Sequence, residues 1–393
     1  MRRTDAGRIA GRAALGAAGG AMLAAGIVAG ATAAVAVALA RRVITPPAVH
    51  EEPERILAVD LPRGEIVLAR SDEALMPGRY SFWFDRDAGH ARLGEIVEAD
   101  TKTVRRRIEA VDFGRLERAR RGRMNGWLRL GPWEFDHPYE NVVVDTDLGP
   151  APAWHIAPEH PRGDWIIQVH GRGSRRQEGL RAVPVARGNG WDTLLVSYRN
   201  DGEAPDSEDR RYGLGGTEWA DVRAAVAHAT EHGAKRIVLM GWSMGGGIVL
   251  QAVLRSPEVR ERLVGVILDS PAIDWSDILR FQGEMLGLPG ELAGVVSGVL
   301  GGRTGRRLTG AAAPISLREL DPVARAGELT VPVLLMHSVD DGFVPIAGSR
   351  ALAAARPDLV TFRVWEGARH TKLWNADPGL WNGQITAWLQ ELD

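Results

Sequence analysis

The chain has 393 residues, of which 45% are hydrophobic and 25% charged, as is ordinary for a protein that buries a substantial core. Its length exceeds one average domain, which predicts two domains or one large domain with an extension. The net charge of −2 gives no global field that would favour nucleic acid, and the absence of cysteine excludes disulfides, thiolate catalysis and cysteine metal sites.

An uncharged run rich in alanine and glycine extends over residues 13–40, with arginines on both sides of it. As a helix it would exceed the ~30 Å of a bilayer core. The arginine excess before the run predicts that the N-terminus stays in the cytoplasm and that the body of the chain is translocated outward. We therefore expect residues 1–44 to be a cytoplasmic N-terminus with a single-pass anchor in the cell membrane. A small-residue sequence at 38–40 also fits a signal-peptidase site, so secretion after cleavage is the alternative.

Two G-x-x-x-G spacings lie within this run, at Gly16–Gly20 and Gly26–Gly30. This spacing lets two helices approach closely in a membrane. Because the run is so rich in small residues, we expect at most a weak dimer through the anchor.

Residues 55–137 read as a small β-rich module, preceded by a proline- and acid-containing linker over 45–54. Short, partly alternating apolar runs are separated there by turn sequences such as Pro-Arg-Gly and Pro-Gly-Arg. The stretch from Lys102 to Arg123 is rich in arginine, with acidic residues interleaved. We expect it to be a solvated face rather than a phosphate-binding surface.

Apolar strands alternate with helical patterns through residues 138–393, after an initial strand pair. This rhythm predicts a mostly parallel sheet covered by helices on both faces. Residues 272–330 replace the usual short connection, and their apolar, helical character predicts a cap over the carboxyl ends of the strands. The predicted strands are Asp164–Gly171, Trp191–Arg199, Lys235–Gly241, Leu263–Pro271, Val331–Ser338 and Val360–Gly367.

The motif G-x-S-x-G occurs at 241–245, between a predicted strand and a predicted helix. Such a sharp turn strains the serine backbone and lifts its hydroxyl clear of the sheet. A side chain at Gly241 or Gly245 would collide with its neighbours there, and Trp242 completes the turn. The helix N-terminus favours developing negative charge. Ser243 is the predicted nucleophile; the alternative is a capping serine in an ordinary glycine-rich turn.

A serine hydroxyl needs a base, and the base needs an acid that orients it. His370 follows the last predicted strand, at the sheet edge towards which Ser243 must point, whereas His337 ends an apolar strand and is typical of a packed histidine. Asp340 and Asp341 follow the preceding strand. We prefer Asp341, which heads a D-x-x-V-P pattern. Asp269 is a third candidate, which we assign to hydrogen bonding around the insertion.

The order Ser, Asp, His resembles that of the α/β-hydrolases, and "VHGRG", "GWSMGG", "DDGFVP" and "GARH" resemble the serine aminopeptidase or prolyl-oligopeptidase-like type. The resemblance begins at about Pro138 and implies Ser243 as nucleophile, Asp341 as acid and His370 as base. One departure is "MHS", where related sequences often have His-Gly.

An oxyanion also needs hydrogen-bond donors. Met244 N–H directly follows the nucleophile, and the loops of such hydrolases imply Arg172 N–H as the second donor. We expect the Arg172 side chain to be free to face a polar or anionic group. The basic cluster 172–176 fits either an anionic substrate group or a solvated loop, and His170 a structural role.

Together these residues predict a serine hydrolase of esters, thioesters or amides, and the apolar insertion favours a carboxylesterase acting on an acyl or lipid-like ester. Alternatives are a peptidase or acyltransferase acting on cell-envelope molecules and, in another class, a membrane-tethered binding protein without activity. No H-E-x-x-H, phosphate-binding loop or dinucleotide motif is present. We therefore expect no cofactor, no metal and no nucleic-acid partner.

Overall fold

A helix, a small barrel and a large sheet follow one another in the computed structural model, which describes residues 30–392. Helix α1 covers 30–44 of the described part. Six antiparallel strands then close a barrel in the order β1-β2-β5-β4-β3-β6. The strands are β1 (Glu54–Asp60), β2 (Glu65–Ala69), β3 (Tyr80–Phe84), β4 (Gly89–Ala99), β5 (Thr103–Phe113) and β6 (Arg121–Asn125).

The barrel interior is filled by side chains, because alternate residues of each strand point inward. Tyr80, Phe82 and Phe84 of β3 are fully buried in this way. Arg106 of β5 is also fully buried, contrary to the solvated face expected for its stretch. Its guanidinium donates to the carbonyls of Ala74, Met76, Gly78 and Gly94. Backbone oxygens thus accept the hydrogen bonds of the cation, and the arginine holds the 74–78 loop.

The second domain is an eight-stranded sheet in the order β14-β13-β12-β11-β9-β10-β8-β7. Strands β7 and β8 pair antiparallel, and β8 is also antiparallel to β10. The remaining pairs are parallel, which confirms the predicted mostly parallel sheet. Its strands are β7 (Glu140–Thr146), β8 (Gly149–Ile156), β9 (Asp164–Val169), β10 (Asp192–Val196), β11 (Arg236–Trp242), β12 (Leu263–Asp269), β13 (Val333–Ser338) and β14 (Val360–Trp365).

Helices cover both faces of this sheet, and every residue of β9 and β10 is buried as a result. The flanking helices are α2 (Val183–Gly188), α3 (Trp219–Glu231), α4 (Met244–Arg255), α5 (Pro257–Arg260), α9 (Ala347–Ala355), α10 (Leu373–Ala376) and α11 (Pro378–Glu391). The predicted insertion between β12 and β13 is present as a helical cap. It contains α6 (Trp275–Met285), α7 (Leu292–Gly301) and α8 (Arg303–Thr309).

Most of the predicted membrane segment, with three of the four glycines of its G-x-x-x-G spacings, lies outside the described residues. Its last part belongs to α1, in which Ala36, Ala40 and Ile44 recur every fourth residue and are fully buried in the core of the second domain. This spacing places the three side chains on one face of the helix. Among residues 30–392, no helix combines the length and the apolar character needed to cross a membrane.

The predicted linker is held by both domains. His50 contacts the Asp87 carboxylate of the barrel at 2.9 Å and the Gly173 carbonyl of the second domain at 2.8 Å. The linker therefore connects the barrel to the loop that follows β9.

Candidate active site

Ser243 lies at the turn between β11 and α4, as the motif predicts. Its backbone has φ 51° and ψ −120°, a region that a residue with a Cβ occupies at a cost of about 1–3 kcal/mol. Two hydrogen bonds hold it there: Ser243 N–H donates to the Asp269 carbonyl at 3.1 Å, and Ala272 N–H donates to the Ser243 carbonyl at 2.9 Å. The carboxyl end of β12 thereby supports the strained turn.

The glycines around Ser243 are required by close backbone contacts. A Cβ on Gly241 would lie 2.5 Å from the Gly245 carbonyl oxygen, and a Cβ on Gly245 would lie 2.1 Å from the Val169 carbonyl oxygen. Both distances are far inside van der Waals contact, so a side chain at either position would force α4 away from the sheet. This is the collision that the motif predicts.

His370 connects Ser243 to Asp341. Its Nε2 lies 2.8 Å from Ser243 Oγ, and its Nδ1 lies 2.7 Å from Asp341 Oδ2. An ionised carboxylate only accepts hydrogen bonds, so Nδ1 carries the proton towards Asp341 and Nε2 of the neutral ring is free to accept the serine proton. The structure thus brings the three predicted residues into one hydrogen-bonded chain.

Asp341 is buried and accepts four N–H groups. Its Oδ1 accepts from the backbone of Phe343 and Val344, each at 2.8 Å. Its Oδ2 accepts from His370 and, at 3.2 Å, from His337 Nε2. Burial raises the pKa of this carboxyl, but the two imidazoles outweigh burial and hold the pKa well below its usual range. Asp341 is therefore an anion at neutral pH.

His337 has a larger part in this site than packing alone. Its Nε2 also faces the Val344 carbonyl at 3.1 Å, so this nitrogen carries the proton and donates. Its Nδ1 then accepts from Ser349 Oγ at 2.7 Å. The sequence gives one sign of this role: His337 lies near the end of β13, four residues before Asp341.

The other two candidate acids make different contacts. Asp340 accepts the Gly367 N–H at 2.6 Å and so supports the loop that leads to His370. Asp269 accepts from Trp381 Nε1 of α11 and from Ser270 Oγ, just before the insertion, each at 2.9 Å. Burial raises the pKa of Asp269.

The two predicted oxyanion donors belong to segments that contact Ser243. Met244 is the first residue of α4, where no intrahelical carbonyl is available to its N–H. The loop after β9 approaches so closely that a Cβ on Gly171 would lie 3.2 Å from Ser243 Cβ, which brings the next residue, Arg172, to the same side.

The Arg172 side chain is not free, contrary to our expectation. Its guanidinium donates to the carbonyls of Arg42, Val43 and Thr45, which lie at the C-terminal end of α1. Burial lowers its pKa. Arg176, in the same basic cluster, pairs with Glu203 at 3.2 Å. These two arginines are occupied by protein groups, which argues against an anion-binding cluster.

A buried ion pair connects the loop of the oxyanion donor to the loop of His370, and sequence reasoning missed it. Glu178 accepts the Gly171 N–H at 2.7 Å and pairs with Arg181 at 3.1 Å. Arg181 also donates to the Thr371 carbonyl. Both charged residues lie in the segment between β9 and α2, where no sequence motif marks them.

The barrel supports the His370 loop from the other side. Arg369 and Lys372, on either side of the histidine, pair with Asp72 and Glu73 of the barrel. Buried Asn375 donates through Nδ2 to the carbonyls of Arg79 and Gly126, at 2.8 and 2.9 Å. These contacts join the barrel to the segment that carries the candidate base.

Replacing Asn375 by alanine is expected to lower the free energy of unfolding by about 1–3 kcal/mol, because the buried hydrogen bond to the Gly126 carbonyl and the partly buried one to the Arg79 carbonyl are lost. Amide exchange in residues 366–376 should quicken at the same time. Urea unfolding and hydrogen–deuterium exchange measure the two effects. Asn382→Ala, on α11, is the matched control: its Oδ1 has no partner within residues 30–392, so little should change. Equal effects of both variants would contradict the prediction.

Two family models match the chain. One, described as "Domain of unknown function (DUF8805)", matches residues 55–125, which is the barrel. The other, described as "Alpha/beta hydrolase family", matches residues 160–382, which is more than half of the chain.

Solved structures are also similar to the chain. An esterase from Pyrococcus furiosus is 16% identical with a TM-score of 0.51, over 67% of this chain and 94% of its own. An esterase from Rhodococcus sp. ECU1013 is 18% identical with a TM-score of 0.46, over 64% and 99%. A monoacylglycerol lipase from Paleococcus ferrophilus is 18% identical with a TM-score of 0.44, over 61% and 99%. The first of these likenesses shows the fold. Because the family model spans more than half of the chain, this protein belongs to the α/β-hydrolase family.

Proposed function

We propose that the protein is a serine hydrolase that cleaves carboxylic esters through an acyl-enzyme. The observation that carries the proposal is the continuous chain of hydrogen bonds from Ser243 Oγ through His370 to the Asp341 carboxylate. Nucleophile, base and orienting acid in this arrangement are what activation of a serine hydroxyl requires.

In the first half of the reaction, His370 Nε2 takes the proton of Ser243 Oγ as the oxygen attacks the ester carbonyl. The Asp341 carboxylate stabilises the imidazolium that forms. Met244 N–H and Arg172 N–H receive the oxyanion. Nε2 then returns the proton to the departing alcohol, which leaves the acyl group on Ser243.

In the second half, His370 Nε2 takes a proton from water, and the hydroxide attacks the acyl carbonyl. The tetrahedral intermediate collapses, and the proton on Nε2 passes to Ser243 Oγ. The carboxylic acid is released and the serine is restored. The strained backbone of Ser243 keeps its oxygen in the same place throughout both halves.

The ester is preferred over the amide because the surroundings of the site are apolar. The Phe343 ring packs 5.1 Å from the His370 ring, and Phe343 is 45% exposed. The cap adds the exposed side chain of Leu286, which lines the same cavity as Phe343. Exposed apolar side chains next to the candidate base favour an acyl or lipid-like substrate over a charged peptide.

Labelling with a fluorophosphonate, followed by peptide mass spectrometry, tests the nucleophile. We expect the label on Ser243. Hydrolysis of p-nitrophenyl butyrate, compared with butyryl p-nitroanilide, tests the bond: the ester should be cleaved much faster than the amide. Label on another residue would refute the assignment of the nucleophile, and preferred cleavage of the anilide would favour the peptidase alternative.

A further inference from the structure

Helix α1 is bound to both sides of the candidate active site. Its last carbonyls accept hydrogen bonds from Arg172, whose own N–H is the proposed oxyanion donor. The Ile44 carbonyl accepts the Tyr212 N–H at 2.7 Å. From the same turn, Arg41 Nε donates to the Leu308 carbonyl in the cap at 2.6 Å. The helix that precedes the barrel is thus a fixed part of the second domain.

A cavity of about 200 Å³ lies between α1 and the cap. Much of its wall is aliphatic and comes from three helices, α1, α6 and α7. The aliphatic residues are Leu39 and Val43 of α1, Ile278 and Leu279 of α6, and Leu292 and Val296 of α7.

The cavity adjoins the candidate active site through two of its lining residues. Phe343 lines it and also packs against the ring of His370. Arg172 also lines the cavity, and its N–H is the proposed second oxyanion donor. A chain lying in the cavity would therefore end beside Phe343, which packs against the candidate base.

The charges around the cavity are already paired within the described residues, which disfavours an anionic ligand. Arg172 binds the carbonyls of α1, Arg280 pairs with Asp277 and Glu284, and Arg42 pairs with Glu51. The rest of the lining is largely apolar, and an apolar ligand gains free energy by leaving water for such a surface.

We infer that this cavity binds the acyl chain of the ester and that Leu39 of α1 limits the chain length. The inference rests on the proposed function. The volume is below the about 300–1,000 Å³ of complete ligand sites, so the chain is a short or medium one. Each methylene accommodated should raise kcat/KM about fourfold, and the gain should stop when the cavity is full.

The test uses the full chain and p-nitrophenyl acetate, butyrate, hexanoate, octanoate and decanoate. Leu39→Trp fills the cavity, so the ratio of kcat/KM for octanoate to that for acetate should fall at least tenfold. Leu39→Ala enlarges the cavity and should move the optimum to longer chains. Val35→Trp is the control on the same helix: Val35 is 39% exposed and does not line the cavity, so the ratio should not change.

Wild-type ratios in both Leu39 variants, with circular dichroism spectra like that of the wild type, would overturn this inference while the proposed function stands. If Leu39→Trp does not fold, the shift in Leu39→Ala decides. A wild-type protein that hydrolyses none of the esters and takes no fluorophosphonate label would overturn both.

Discussion

Replacing Ser243 by alanine should lower kcat/KM for p-nitrophenyl esters by at least about 10⁴-fold, because no other group on the hydrogen-bonded chain can form the acyl-enzyme. The change removes one oxygen from a nearly buried side chain, so the fold should persist. Initial rates at substrate concentrations well below KM measure the loss directly.

His370→Ala should have a similar effect, and the double variant should be no worse than either single one, because nucleophile and base act as a unit. Ser276→Ala, an exposed serine at the start of the cap helix α6, is the matched control and should keep wild-type rates. More than about one per cent of the wild-type rate in Ser243→Ala, with contaminating esterase excluded, would refute the role of Ser243.

The second large effect is expected for Asp341→Asn, with kcat falling about 10⁴-fold. The carboxylate accepts four N–H groups, and an amide NH₂ in its place would face donors and favour the wrong tautomer of His370. Asp340→Asn changes the neighbouring residue in the same way, yet Asp340 Oδ2 accepts only the Gly367 N–H among residues 30–392. Steady-state kinetics of the two variants measures kcat for each. A larger loss of kcat in Asp340→Asn would assign the orienting acid to Asp340 instead of Asp341.

The ionised state of Asp341 also predicts a pH dependence of stability. The pKa of Asp341 is held below its usual range in the folded protein, so its ionised form stabilises the fold above the unfolded pKa of about 3.9. That contribution is lost as the pH falls through the lower, folded pKa. The difference in unfolding free energy between wild type and Asp341→Asn should be constant from pH 7 to about pH 5 and shrink below about pH 4. Urea unfolding at several pH values measures it, and a difference that grows on acidification would contradict it.

The arrangement of the candidate site that the sequence predicted depends on near neighbours in the chain and on sheet geometry. The turn at Ser243 is a local strand–turn–helix unit, so its glycines are sufficient to predict it. Asp341 and His370 follow successive parallel strands, and the carboxyl ends of parallel strands meet at one edge. Their convergence therefore followed from strand order alone.

The features that the sequence did not predict are contacts between surfaces whose relative position depends on packing. Arg172 caps α1 because the alanine face of that helix packs against the second domain, and a basic loop gives no sign of it. Buried Arg106 stands in a run of exposed arginines, and only closure of the barrel turns it inward.

The positions of the candidate nucleophile, base and acid thus follow from motifs, because each residue follows a strand that the local sequence predicts. The motifs do not predict that Asn375 and the barrel support the His370 loop. They also do not predict the second imidazole on Asp341 or the wall that α1 adds to the cavity. Each of these depends on side chains from separate layers meeting at hydrogen-bond or van der Waals distance. Such distances are set by how whole domains pack together, which no local pattern records.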